Sequence, residues 1–391
     1  MRKKIAALVA AVNALFVLIV PQTRAVSAES ILNRQTAVQL VKNNSTAVWD
    51  AREQVNFAKE DYEVQAARSK SIDTEKVFLF VHPFTDEDVY YYYQPAEQVQ
   101  LMLLKEFVPE TFKFSHEVKE MTVKVTENAM ANAADGLFTG LYSTYHSVKL
   151  AEKACEFAKR NLERQRKLYE NGLITGLDLE DAELSLKEAE NAVKKAERDY
   201  ENMHRQFNSL AGLPLDFRYD LIGTPWTNDR DVTITEEEAV ARALENRMEI
   251  WSTKRQIELI EFRMEIYRYK DVYSFHRQTR EDYADAQEEL DKLKLTLSQQ
   301  EYDIEKEIRQ AYRDLKKSFN DLELSKLNLA RQKNLLEATR KQYEAGLVPV
   351  SVIEQLELSI EQLEFAVNMN VVNILNKQDR FYRAISVGPG Y

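Results

Sequence analysis

Between Leu290 and Leu322 the apolar residues return at threes and fours: Leu290, Leu293, Leu297, Ile304, Ile308, Ala311, Leu315 and Leu322. That spacing draws one narrow stripe along a helix, flanked by charge, which is the pattern of a coiled-coil seam. Carried from Asp282 to Tyr343, such a helix spans about 93 Å at a rise of 1.5 Å per residue. It cannot bury itself in a small domain, so partner helices must run beside it. Helical patterning also covers residues 31–68, 118–169, 177–210 and 248–270. Thr235 opens a short helix with Glu238 as its capping-box partner. Residues 271–282 are a polar patch without Gly or Pro.

Residues 72–117 read differently. Val77–Val81 and Val89–Tyr93 are β-branched or aromatic runs around a His-Pro and acidic turn, and they predict two short strands, with a compact helix-loop piece as the alternative. Pro95 and Pro109 argue against a long helix crossing this stretch. The fold class is therefore all-α: long antiparallel coiled-coil helices, with at most a short strand pair near residues 77–93.

The chain repeats itself. "RKLYENGLITGLDLEDAELS" (166–185) and "RKQYEAGLVPVSVIEQLELS" (340–359) agree at ten of twenty positions without a gap. A repeat this long predicts a duplicated structural unit. Gly172 and Gly346 permit the left-handed turn that ends a helix. Thr175 with Asp178, and Ser351 with Glu354, restart one as capping boxes. Each copy is expected to be the tip of an antiparallel helical hairpin, with both tips at one end of the rod. A bare turn needs no apolar residue after its glycine. Leu173-Ile174 and Leu347-Val348 place such residues there, which points to a docking surface. The organisation expected is an export signal over 1–28, a first helical repeat over 29–212 with an insert at 72–117 and a tip at 169–177, a Gly- and Pro-containing connector over 213–234, and a second repeat over 235–391 with its tip at 343–351.

Composition narrows the function. Only 9 Gly and 8 Pro occur in 391 residues, and 30% of residues are charged, which suits long helices. The basic start Arg2-Lys3-Lys4, the apolar run Ile5–Val20 and the small residues Val26-Ser27-Ala28 read as a cleavable signal. The apolar run is shorter than the roughly 20 residues of a membrane-spanning helix. The signal holds four of the 53 basic residues, so the remainder carries a net charge of about −15, the opposite of a nucleic-acid binder's footprint. The single Cys155 reads as a small buried apolar residue. His82, His116, His146, His204 and His276 are scattered singly, with no metal-ligand spacing. There is no phosphate loop and no nucleophile elbow. Neither an enzyme nor a cofactor is expected.

The chain resembles the TolC-like outer-membrane efflux proteins. The pieces that carry the resemblance are "KLYENGLITGLDLEDAELSL", "KQYEAGLVPVSVIEQLELSI", "FNSLAGLPL" and "RFYRAISVG". The resemblance implies two repeats of paired long helices, three protomers packed into a hollow cylinder, and Gly-Leu tips that receive the helical hairpins of a membrane-fusion protein working with an inner-membrane pump. Carried over, Gly172, Leu173, Gly346 and Leu347 are docking tips, and Tyr169 and Tyr343 support the turns. The expected protein is an exported homotrimeric conduit of the cell envelope. The rival expectation is an envelope scaffold that reuses the fold and transports nothing.

Two departures qualify the resemblance. Family members insert a hairpin of membrane-spanning strands into each repeat. A spanning strand needs about 9–11 residues, and residues 271–282 are too short and too charged to supply two. The rod is therefore expected without a spanning barrel. Tyr90–Tyr93 are then packing at its blunt end, or the remnant of an aromatic belt. Family members also carry pore-facing acids shortly after the second glycine, where this chain has Val352 and Gln355. Asp178 and Asp181 hold that spacing in the first repeat, and either line a gate or stabilise a helix N-terminus.

Overall fold

The computed structural model describes residues 32–219, 222 and 233–388. The expected signal segment and residues 220–221 and 223–232 of the connector lie outside the described residues. No helix among those described is long and apolar enough to cross a membrane.

Two long helices dominate, α4 (Val108–Glu170, 63 residues) and α9 (Arg277–Glu344, 68 residues). Each turns back into a helix of 35 residues, α5 (Gly176–Leu210) and α10 (Val350–Ala384). At 1.5 Å per residue the returning helix covers only about half of its long partner. Pairs of shorter helices laid end to end cover the rest. Along α4 these are α1 (Arg34–Asn44) and α2 (Thr46–Lys70). Along α9 they are α6 (Glu236–Asn246) and α7 (Met248–Tyr267).

The stripe read from the α9 sequence is its buried face. Leu290, Ile304, Ile308, Leu315 and Leu322 are buried, and Leu293, Leu297 and Ala311 pack partly covered beside them. Cys155 is buried, as its apolar character requires.

Four local expectations are corrected. Residues 31–68 are not one helix. Ser45 is extended (φ −68°, ψ 121°) and its hydroxyl accepts from Val48 N–H at 3.4 Å, so it ends α1 and caps α2. Helix α9 starts at Arg277 rather than Asp282, capped by the His276 ring, and α7 stops at Tyr267. Between them lie a tight turn (Tyr269–Asp271) and the single-turn helix α8 (Val272–Phe275), with Lys270 and Asp271 left-handed. Third, Pro109 does not exclude a long helix. Backbone stays helical from α3 (Pro95–Met102) through a wide turn at Leu103–Phe107 and on into α4. In that turn Val108 N–H reaches back five residues to Leu103 C=O. The widened turn accommodates a ring that lacks an N–H and would crowd the carbonyl four residues back. Fourth, Ser351 caps no helix, because Pro349 holds the N-cap position of α10.

The expected strands are β1 (Lys76–Val81) and β2 (Asp88–Tyr92), an antiparallel pair with an irregularity between Phe78 and Phe80. They form the only sheet among the described residues, and residues 271–282 contain no strand. The tyrosines pack within the hairpin: Tyr90 against Phe78 and under Lys76 Nζ, Tyr91 against Tyr93. Phe84, at the hairpin's turn, is 93% exposed.

Candidate docking site

Each tip is built by backbone hydrogen bonds that only a left-handed residue allows. Gly172 (φ +70°) follows Asn171 at the end of α4. Its N–H donates to Tyr169 C=O at 2.8 Å, and Leu173 N–H donates to Leu168 C=O at 2.9 Å. Gly346 (φ +72°) does the same after α9, donating to Tyr343 C=O at 2.8 Å, while Leu347 N–H reaches Gln342 C=O at 2.9 Å. These paired bonds satisfy carbonyls that a helix end leaves free. The rings of Tyr169 and Tyr343 remain partly exposed; the peptide carbonyls of both residues take part in the turn.

The tips restart differently. Thr175 caps α5: its hydroxyl accepts from Asp178 N–H at 3.3 Å, and Asp178 Oδ2 accepts from Thr175 N–H at 2.8 Å and from the Thr175 hydroxyl at 2.7 Å. Those bonds hold the Asp178 carboxyl below the usual range, the Thr175 hydroxyl contributing most. Asp178 is thus occupied in a cap, while Asp181 is exposed one turn further along. In the second tip the expected Ser351–Glu354 box is absent. Pro349 occupies the cap position and α10 begins at Val350. Proline fixes its own φ and needs no side-chain acceptor to start a helix. Glu354 is drawn elsewhere, to Arg164 Nη1 at 2.7 Å and Arg160 Nε at 3.1 Å on α4.

That cross-link decides where the tips lie. Arg164 precedes Gly172 by eight residues and Glu354 follows Gly346 by eight, so both turns sit at the same end. Each hairpin also carries the same internal brace, Arg166–Glu183 at 3.1 Å and Arg340–Glu357 at 2.8 Å.

The turns present apolar side chains to solvent. Leu173 is 68% exposed and Leu347 75%, while Ile174 and Val348 are half-buried. Leu177, Val350 and Val352 extend the exposed apolar surface. Sequence reasoning does not count these three toward the docking surface, although apolar residues in the first turn of a helix at a polar tip carry the signal. The space around both positive-φ glycines is open, so conformation rather than crowding demands glycine there. Among the described residues no group of His, Cys, Asp and Glu is placed to hold a metal.

Long helices folded back through glycine turns, with shorter helices covering their far halves, make up the fold. Solved structures show the same fold. A membrane protein from Pseudomonas aeruginosa superposes with a TM-score of 0.66 at 10% identity, covering 91% of this chain and 90% of its own. CusC, described for its conformational changes on transmembrane channel formation, gives 0.65 at 12% identity over 91% and 92%. The Campylobacter jejuni CmeC outer membrane channel gives 0.62 at 15% identity over 92% and 86%. At these identities the likeness is one of fold. No family model matches the chain, and no curated protein matches it.

Proposed function

We propose that the protein is an exported component of an efflux or secretion assembly. Three copies line up as a hollow helical conduit and dock a membrane-fusion protein, itself coupled to an inner-membrane pump, through Tyr169, Gly172, Leu173, Tyr343, Gly346 and Leu347. One observation carries the reading: two glycine turns of matching geometry, side by side, each presenting a leucine more than two-thirds exposed. The conduit is passive, with no catalysis and no cofactor. Solute passes along the hollow, and opening is a movement of the helices at the tips. The localisation proposed is the cell envelope, with the tips on the periplasmic side.

The test is twofold. Sedimentation of the purified protein should show a trimer, and a protein that stays monomeric at high concentration overturns the conduit. Leu173→Asp with Leu347→Asp should abolish capture of the cognate fusion protein while leaving the trimer intact; unchanged capture overturns the docking role.

A scaffold that transports nothing is the second reading. It is favoured by the turn between α7 and α9, which holds no strands where a second membrane hairpin would be needed. Deletion of the gene with no change in sensitivity to any exported compound supports the scaffold.

A further inference from the structure

His204, on the last third of α5, is fully buried, and its Nε2 has no hydrogen-bond partner in the protein. Its Nδ1 lies 3.3 Å from Asn208 Nδ2. Asn208 is also fully buried and clamps the chain that leaves α5. Its Nδ2 donates to Phe217 C=O at 2.9 Å and to Leu215 C=O at 3.3 Å, and its Oδ1 accepts from the Tyr219 hydroxyl at 2.8 Å. These bonds fix which end of the amide faces the ring: a flip would set Oδ1 against two carbonyls. The amide nitrogen therefore faces Nδ1, and with its two hydrogens shared among two carbonyls and the ring it favours an unprotonated Nδ1 and a neutral imidazole.

The ring also joins a chain of aromatic contacts that crosses four elements. Phe365 of α10 stacks on His146 of α4 at 5.8 Å; next come Tyr145, Tyr200 of α5, His204 itself and Tyr219 of the connector at 5.3 Å.

We propose that His204 is an acid-sensitive latch: its protonation sets donor against donor at Asn208 and releases residues 213–219 from α5. The charged groups near the ring do not prevent this. From α5 comes Glu201 and from the connector Arg218, and the two are paired with each other at 2.8 Å. Tyr200 and Tyr219 face the ring with their aromatic faces or edges. The cluster that holds Phe207 and Tyr219 adds apolar Val41 of α1 and Phe138 and Leu141 of α4, with the phenol of Tyr142, and the titratable His146 of α4 is separated from the ring by Tyr145 and Tyr200. Burial, and then Arg218, hold the imidazole below its usual value, with Glu201 opposing. A depressed histidine stabilises the fold fully above the unfolded value of about 6.5 and loses that contribution as pH falls through its folded value. The latch is thus closed at neutral pH and opens on acidification. It frees the segment that leads from the first hairpin to the second half of the chain.

Hydrogen exchange of the full-length protein, corrected for intrinsic rates, tests this at pH 7.5 and pH 5.0. Residues 211–219 should lose protection severalfold at the lower pH, while 300–320 should not. His204→Phe should exchange equally at both. A wild-type segment that is indifferent to pH, or a His204→Phe protein with an undiminished acid response, overturns the latch. Should that variant fold poorly, imidazole titration of the labelled wild type decides. The His204 signal should move together with those of Tyr219 and Asn208, and independent titration overturns the proposal.

Discussion

Arg164 of α4 and Glu354 of α10 meet at 2.7 Å, each eight residues from the glycine of its own turn. Glu354 accepts from Arg160 as well, and its side chain is 16% exposed, so one carboxylate ties the first hairpin to the second just behind the tips. Glu354→Gln keeps the shape and removes the charge. We expect a loss of about 1 kcal/mol, the upper part of the range for partly exposed pairs. We also expect faster hydrogen exchange at both tips and none of that effect in the far halves of α4 and α9. Exchange confined to a single tip would show that the two hairpins are held by something else.

Gly172→Ala and Gly346→Ala test the turns without crowding them, since no atom lies within 4 Å of an added Cβ at either site. The cost is backbone strain alone, about 1–2 kcal/mol for each left-handed alanine. Urea midpoints of the single variants should shift by similar amounts. The two sites have different neighbours and nearly equal φ, so unequal shifts would mean that side-chain contacts, not conformation, set the requirement.

Much of this design is legible in the sequence because its signals are local. A seam at threes and fours, a glycine at each helix stop and a strand pair of β-branched and aromatic residues each depend on neighbours a few positions away. Ser45 leaves no such mark. The break between α1 and α2 is one extended residue with neither Gly nor Pro, and it stands out only beside its counterpart. Ala37-Val38, Asn44 and Trp49 recur as Ala239-Val240, Asn246 and Trp251, and in both places an 11-residue helix ends at the Asn and one extended residue comes next. Pro109 misleads because its local cost is met by the wide turn before it. Ser351 misleads because a capping box competes with whatever else its glutamate can reach, and Glu354 reaches two arginines from another part of the chain. That partnership spans 190 positions, and no local pattern announces it.

Asp178 separates a cap from a gate. Its carboxylate is committed to Thr175. Because its folded value is depressed, the cap is intact above the unfolded value near 3.8 and is lost as pH falls through the folded one. Asp178→Asn should therefore fray residues 175–180 at neutral pH, seen as faster exchange there, and should remove the acid sensitivity of that turn. Asp181→Asn should do neither. If ion passage through the assembled protein responds to Asp181→Asn and not to Asp178→Asn, the gate and the cap are different residues.

Asn208 is where the end of the first hairpin is fastened to the connector, and its replacement should be the costliest single change in that region. The side chain is fully buried and serves two carbonyls, a phenol and an imidazole. Asn208→Ala leaves all four facing a small apolar group. Each buried polar group that loses its partner costs about 1–3 kcal/mol, but the bonds to the Leu215 and Phe217 carbonyls are only partly buried, so water can take up part of the loss. The net loss expected is therefore about 2–3 kcal/mol, read from the urea midpoint. The pattern matters more than the size. Without the amide, protonation of His204 no longer opposes a donor, so exchange at 211–219 should be fast at pH 7.5 and rise little further at pH 5.0. A variant as protected as the wild type at neutral pH would show that aromatic packing around Tyr219, rather than the amide, holds the connector down.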